Sequence, residues 1–221
     1  MNLDGTKVSL WTVSLEHPAA RSRAFAIKRG LDVVLSLALL VLAAPVLLAA
    51  WALVRLTSPG PALFVQGRIG HHGERFDMLK LRTMEDGAET REEELAERRP
   101  GRTFFKLVDD PRITRVGRIL RRWSIDELPQ LMNVLEGTMS LVGPRPLLVS
   151  DFRRFPKSRQ LRRFAVKPGL TGLWQISGRS LLSDEERMRL DLQYVERWSL
   201  WLDLKILVRT VPAVLLGRGA T

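Results

Sequence analysis

Residues Val33 to Val54 read VVLSLALLVLAAPVLLAAWALV, a run without charge in which Ser36 is the only hydroxyl. About 20 consecutive apolar residues suffice to cross the hydrocarbon core of a bilayer. This run therefore commits the chain to a membrane before anything else is read. It begins far from Met1 and ends without a small-residue cleavage site, which argues against a cleavable signal peptide. Pro45 lies near its centre, where a missing amide donor and the ring's clash with the preceding turn predict a kink. Lys28 and Arg29 precede the run and Arg55 follows it. Basic membrane-interface anchors at both ends give a straight span no orientation bias. The simplest resolution is a helix that enters the bilayer, bends at Pro45 and returns to the same face. An ordinary single-span anchor is the alternative.

Lysine and arginine outnumber the acids 35 to 24, a formal charge of +11. Such an excess favours anionic partners, whether nucleic acid, acidic lipid or a phosphorylated substrate. The absence of cysteine excludes disulfides and thiolate metal sites, and suits a cytosolic domain. His17, His71 and His72 have no zinc-site spacing.

Three regions are expected: a flexible tail over 1–26, a re-entrant membrane helix over 27–56 and a cytosolic domain over 57–221. Within the last, short apolar runs around Gly67, Gly70 and Gly73 predict a β-hairpin. Residues 85–100 are charged nearly throughout and read as a solvated helix or loop. Ile113, Val116, Ile119, Leu120 and Trp123 share one helical face opposite a row of arginines. Leu131, Met132 and Leu135 form an apolar stripe that Gly137 closes as a C-cap. Ser183 and Glu186 have capping-box spacing at the head of a long helical segment. In that segment Trp198 and Trp201 suit either the core or the lipid interface. The expected fold class is α+β and mostly helical: a re-entrant membrane helix hairpin plus a small domain with a short β-hairpin and amphipathic interface helices. No further membrane domain is expected.

Two adjacent carboxylates, Asp126 and Glu127, sit in SIDELPQ, just after a stretch with five arginines between residues 112 and 122. One reading is a capping box from Ser124 to Glu127. That would put Pro129 inside the helix, where it is unwelcome, whereas the first helical position suits it well. A helix starting at Pro129 leaves both carboxylates in the turn before it, where free amides favour phosphate. In such a turn one carboxylate can attack phosphorus while the other holds a divalent cation. Attack on a diphosphate would need Mg²⁺ and arginine to offset like charges. Simple charge balance is the bland alternative. In Gly143-Pro144-Arg145-Pro146, two prolines restrict the backbone around one guanidinium fork suited to phosphate; the bland reading is a plain turn.

Together, Lys28-Arg29-x-x-Asp32, the proline-broken apolar helix, KLRTM, DDPRITRVGRILRRWSIDELPQLMNVLEGTMSLVGPRPLL and KPGLTGLWQISGR strongly resemble the bacterial sugar transferases. These are monotopic polyprenyl-phosphate hexose-1-phosphate transferases, and the resemblance runs in order from residue 27 to 216. It implies transfer of hexose-1-phosphate from a UDP-hexose to undecaprenyl phosphate with release of UMP. The re-entrant helix would hold the domain on the cytoplasmic face of the bacterial inner membrane. By the same resemblance Asp126 is the nucleophile and Glu127 helps to bind Mg²⁺, with Asp126 beside the metal. Arg145 and Arg121 would contact phosphate, and Arg112, Lys80 and Arg82 belong to basic motifs expected at the substrate. Departures are Ala44 before the kinking proline, where serine is common, Lys167 in place of arginine, and Ser180 in place of asparagine. They bear on sugar contacts, with galactose or glucose favoured. The expected partners are UDP-hexose, undecaprenyl phosphate and the bilayer; no nucleic acid is expected, and a homo-oligomer is compatible with the chain. Two rivals keep the charge but change the chemistry. A membrane-tethered basic module would bind nucleic acid or lipid without catalysis, though stacking aromatics are few. A lipid-phosphate phosphatase would use water as acceptor.

Overall fold

Leucine and alanine dominate the apolar run, and they support a single helix, α1, from Ala19 to Thr57. The structure, a computed structural model, describes residues 19–88, 110–149, 152, 158–178 and 182–215. Most of the expected tail and of the charged segment 85–100, together with Arg179 and Ser180, lies outside them. α1 begins inside the expected tail and stays helical through Pro45. It is long and apolar enough to cross a membrane.

One stripe of α1 faces the rest of the protein. Ala24, Phe25 and Leu40 pack on the main core, while Leu47, Ala50 and Val54 join a second core with Ala62, Leu81 and Leu120. The spacing of three to four residues along this stripe is that of one helical face. Val41, Leu42, Leu48 and Leu56 point outward and are mostly exposed, at 67%, 75%, 68% and 84%.

The expected hairpin forms from β1, Leu63–Ile69, and β2, Arg75–Leu81, paired antiparallel from Leu63↔Leu81 to Ile69↔Arg75. α2, Arg115–Arg122, is capped by Thr114, whose Oγ1 accepts from the Gly117 amide at 2.9 Å. α3, Gln130–Glu136, ends at Gly137 with φ 91, the left-handed cap expected there. β3, Ser140–Val142, pairs parallel with β5, Gly169–Thr171, and β4, Leu147–Leu148, adds to the free edge of β1. α4, Asp184–Arg197, opens with the full Ser183–Glu186 capping box, and α5 covers Leu200–Leu215. Met78, Leu131, Val134, Met139, Val142, Tyr194 and Ile206 form the centre of the core that these elements share.

The basic residues before the apolar run do not stand free as membrane anchors. Lys28 Nζ donates to Asp203 Oδ2 at 2.7 Å and to the Val142 carbonyl at 3.1 Å. Tyr194 Oη donates to the same Val142 carbonyl and to Asp203 Oδ1, and Trp198 Nε1 reaches Asp203 Oδ2. Arg29 caps the C-terminal end of α3 through the Val134 and Leu135 carbonyls, a favourable place for a cation. Asp32 accepts from Ser140 Oγ and the Leu141 amide. At the other end Arg55 donates to the Gly60 carbonyl at 2.9 Å. The first turns of α1 are thus a polar plug in the domain.

The two tryptophans separate. Trp198 is buried and stacks on Phe25 with centroids 4.0 Å apart, whereas Trp201 is 73% exposed. On α2 the expected apolar face divides in the same way. Val116 and Leu120 pack against α1, while Ile119 and Trp123 remain exposed at 60% and 42%.

Asp203 serves Lys28, Tyr194 and Trp198 together, so its removal takes the charge partner from a largely buried ammonium, leaves it and Tyr194 only the Val142 carbonyl, and leaves the Trp198 N–H without its acceptor. Breaking a buried pair from one side costs about 3–5 kcal/mol. Asp203→Ala should therefore lower the denaturation midpoint clearly in detergent, and Asp203→Asn by less, since an amide oxygen still accepts.

Candidate active site

The turn that carries the two carboxylates is built by its neighbours. Ser124 takes a left-handed conformation, φ 54 and ψ 24, and its side chain caps nothing. The capping-box reading is therefore set aside. The chain reverses at Ser124 into a short 3-10 turn, Ile125–Glu127, and Pro129 then leads into α3. Asp126 is buried within this turn.

Three cations converge on the pair. Arg145 Nη2 donates to Glu127 Oε1 at 2.8 Å, and Lys80 Nζ lies 3.9 Å from the same oxygen. Arg121 is held by a bond from its Nε to Thr83 Oγ1 at 2.8 Å. Burial, and then the neighbouring Glu127, push the Asp126 carboxyl up to about 6 against the pull of Lys80, Arg121 and Arg145. Burial and the adjacent Arg145 bring Lys80 down to about 7. Glu127 in turn holds the Arg145 guanidinium above its usual range. Asp126 is therefore poorly solvated, with Arg121, Arg145 and Lys80 favouring its anionic form. Among the described residues no hydrogen bond or ion pair ties its carboxylate, so one of the two acids is anchored and the other is available.

Each of these side chains is fixed by backbone packing. A Cβ on Gly117 would lie 2.0 Å from the Thr83 carbonyl oxygen, so only glycine lets α2 approach closely enough to bring Arg121 to Thr83. Asn133, fully buried on α3, behaves like a strand neighbour of β2. Its Oδ1 accepts from the Leu79 amide at 2.9 Å and its Nδ2 donates to the Asp77 carbonyl at 2.8 Å. This bond pair sets Lys80 on β2 against Glu127 just before α3. The Gly-Pro-Arg-Pro loop rides directly on the segment around β5: the Gly169 amide donates to the Pro144 carbonyl and the Gly143 amide to the Thr171 carbonyl. A Cβ on Gly169 would stand 2.0 Å from the Gly143 nitrogen.

The peptide of Arg145 is gripped from both sides by residues that sequence reasoning missed. Arg163 Nη2 donates to the Arg145 carbonyl at 2.6 Å and to Asp191 Oδ2 at 2.5 Å. Asp191 also accepts from the Arg145 amide. Both partners are almost fully buried, and burial pushes Asp191 up to about 6 despite Arg163. Trp174 adds its ring, whose centre lies 5.9 Å from the Arg145 guanidinium carbon.

Two of the arginines expected at the substrate are placed elsewhere. Arg82 is buried, and its guanidinium donates to Ser58 Oγ and the carbonyls of Ser58, Pro59 and Gly60, closing the turn after α1. Arg112 is buried against Asp110, with Nε 2.9 Å from Oδ1 and Nη2 2.7 Å from Oδ2, while Nη1 reaches the Ala88 carbonyl. Both act on protein acceptors, so Lys80, Arg121 and Arg145 are the cations assembled around the carboxylates.

A model of the bacterial sugar transferase family matches residues 23–217. The chain is 41% identical over 198 residues to the exopolysaccharide production protein ExoY of Sinorhizobium fredii, covering 87% of each. It is 44% identical over 221 residues to the UDP-glucose:undecaprenyl-phosphate glucose-1-phosphate transferase of Caulobacter vibrioides, covering 96% of this chain and 78% of that one. It is also 48% identical over 163 residues to the galactosyl transferase CpsE of Streptococcus agalactiae serotype III, which covers 73% of this chain. The chain spans only 36% of that longer relative.

Asp191→Ala removes the buried partner of Arg163 and one hold on the Arg145 backbone. An uncompensated buried guanidinium should reduce unfolding stability by about 3–5 kcal/mol, measured by chemical denaturation.

Proposed function

The chain belongs to the bacterial sugar transferase family, and from that premise we propose that it moves hexose-1-phosphate from a UDP-hexose to undecaprenyl phosphate, releasing UMP in exopolysaccharide assembly. The observation that carries this reading is the divided dyad: Asp126 buried and untied, Glu127 held at 2.8 Å by Arg145. Relatives named as a glucose-1-phosphate transferase and a galactosyl transferase support the substrate class, with glucose or galactose favoured.

In the first step an Asp126 carboxylate oxygen forms a bond to the β-phosphorus, and the bond from that phosphorus to the bridging oxygen breaks. UMP leaves with the electron pair, and the enzyme holds hexose-phosphate as an acyl phosphate. In the second step a phosphate oxygen of the polyprenyl acceptor attacks the same phosphorus. The bond to Asp126 breaks, which gives the diphosphate-linked lipid and restores the carboxylate. Arg145, Arg121 and Lys80 serve as preorganised positive charge for the transferring phosphoryl group. Arg163 and Asp191 hold the peptide of Arg145 in place, and Glu127 holds its guanidinium.

Magnesium fits this site by its donor set. Mg²⁺ usually takes one or two carboxylates and completes its shell with water and substrate phosphates. Asp126 and Glu127 supply such a pair, and among the described residues no group of three or more acidic or histidine side chains offers a full protein cage. Glu127, with Asp126 beside it, would hold the ion, which supplies charge neutralisation to the diphosphate.

The membrane reading is that α1 is re-entrant, with the domain on the cytoplasmic face of the inner membrane. Its support is that one domain binds both ends of α1: Lys28 with Asp203, and Ala50 and Val54 with Leu81 and Leu120. A straight span would carry those ends to opposite sides of about 30 Å of hydrocarbon. The exposed Trp201, Leu204, Val208 and Val211 of α5, together with Ile119 and Trp123 of α2, suit the lipid interface.

UMP release measured with and without polyprenyl phosphate tests the function, since a phosphatase or a binding module would not depend on the acceptor in this way. Asp126→Asn should lose turnover and also the covalent adduct seen by mass spectrometry after incubation with UDP-hexose alone. Wild-type turnover in that variant would move the nucleophile elsewhere. Glu127→Gln and chelation should each depress the rate, with Mg²⁺ restoring the chelated wild type. For topology, cysteines at Arg23 and Thr57, on either side of the apolar run of α1, should react with an impermeant reagent from the same side only; labelling from opposite sides would exclude a re-entrant α1.

A further inference from the structure

Next to the dyad lies a cavity of about 130 Å³ with no role in the steps above. Arg145 and Trp174 form its near wall, and Arg68, Arg187, Met188 and Asp191 belong to the rest of its lining. Neither Asp126, Glu127, Lys80 nor Arg121 lines it, and no lining residue belongs to α1, α2 or α5. We infer that this cavity receives the uracil ring of the UDP-hexose, with the base against Trp174; the inference rests on the transferase reading.

The order of groups along the substrate selects the base. The hexose-bearing phosphorus must reach Asp126, so the hexose stays at the dyad. The nucleotide, leaving opposite the attacking carboxylate, is the group that extends past Arg145 into a space that touches this arginine but not the carboxylates. Arg145 belongs to both places, with Nη2 on Glu127 and its guanidinium carbon 5.9 Å from the Trp174 ring centre. An in-line displacement puts the leaving UMP opposite the attacking carboxylate, on the far side of the phosphorus. The cavity is also built without the elements that face lipid, which suits a water-soluble leaving group.

Size and chemistry agree. A cavity of about 150 Å³ holds one benzene ring, so this one suits a single six-membered ring. Trp174 and Met188 offer a flat, polarisable apolar surface. Arg187, whose guanidinium carbon is 5.3 Å from the Trp174 ring centre, and Arg68, anchored on the Pro146 carbonyl, bring N–H donors to the rim. Uracil presents two carbonyl acceptors to such donors and one imide N–H, for which the Asp191 carboxylate at the wall is an acceptor.

The test uses competitive inhibition of the full-length enzyme in nanodiscs by UMP, which has no sugar, and by hexose-1-phosphate, which has no base. In Trp174→Ala the UMP inhibition constant and the KM for UDP-hexose should both rise by about 10-fold or more, the scale of a lost base–aromatic contact. Hexose-1-phosphate inhibition should not change, and Trp174→Phe should recover most of the loss. An active Trp174→Ala enzyme with unchanged UMP inhibition, or with only hexose-1-phosphate inhibition affected, overturns the assignment. Should the alanine variant not fold, photo-crosslinking of the wild type with 5-iodo-UMP decides: label on the peptides of Trp174 or Met188 supports the assignment, and label only elsewhere overturns it. A wild type that makes no UMP from UDP-hexose with polyprenyl phosphate present would instead remove the transferase reading.

Discussion

Four elements of this fold meet at the Lys28 ammonium. Its two acceptors, Asp203 at 2.7 Å and the Val142 carbonyl at 3.1 Å, belong to the last helix and to the strand that ends at the arginine loop. Tyr194 binds the same two acceptors from α4. One largely buried charge therefore joins α1, both C-terminal helices and the strand leading into Gly143. Taking such an ammonium from its acceptors costs free energy, so these four elements have little freedom to rearrange separately. The apolar helix and the arginine loop thus share one frame.

The catalytic cluster is built by a related principle, in which charged groups are held by polar backbone atoms and by other buried charges. Glycine contacts at 117 and 169 bring segments to backbone distance, and Asn133 bonds β2 to α3. Charge placed this way need not reorganise when a diphosphate arrives. Burial works against the Asp126 anion, while Lys80, Arg121 and Arg145 favour it. In the transferase reading, the competition between those two effects gives a carboxylate without a strong hydration shell.

Local chemistry made much of the site readable in the sequence. Pro129 located the helix start and so placed Asp126 and Glu127 in the preceding turn, and the prolines flanking Arg145 marked a restricted guanidinium. The hairpin, the Gly137 cap and the Ser183–Glu186 box followed from the same short-range rules. Long-range pairing was not readable. Asp203 stands 175 positions from Lys28, so Lys28 and Arg29 beside an apolar run looked like membrane flanks. Arg163 and Asp191 sit in segments without a motif and gain meaning only by meeting at the Arg145 peptide. Arg82 and Arg112 share the basic surroundings of the carboxylate pair in the sequence, yet nothing local shows that a guanidinium will face carbonyls or Asp110. The apolar periodicity of 113–123 could not separate a protein-facing side chain, Leu120, from exposed ones such as Ile119.

The attachment of α1 at both ends also bears on how the protein senses its bilayer. A spanning helix answers to hydrocarbon thickness by tilting or by deforming lipid, and this sorts such proteins among membranes. A helix held to one rigid body near Lys28 and again near Val54 has its immersion depth set by the protein. Its opposing leaflet is never engaged in the re-entrant reading, so bilayer thickness has no handle on the site. What such a molecule senses instead is a single leaflet, through its headgroup charge and lateral packing.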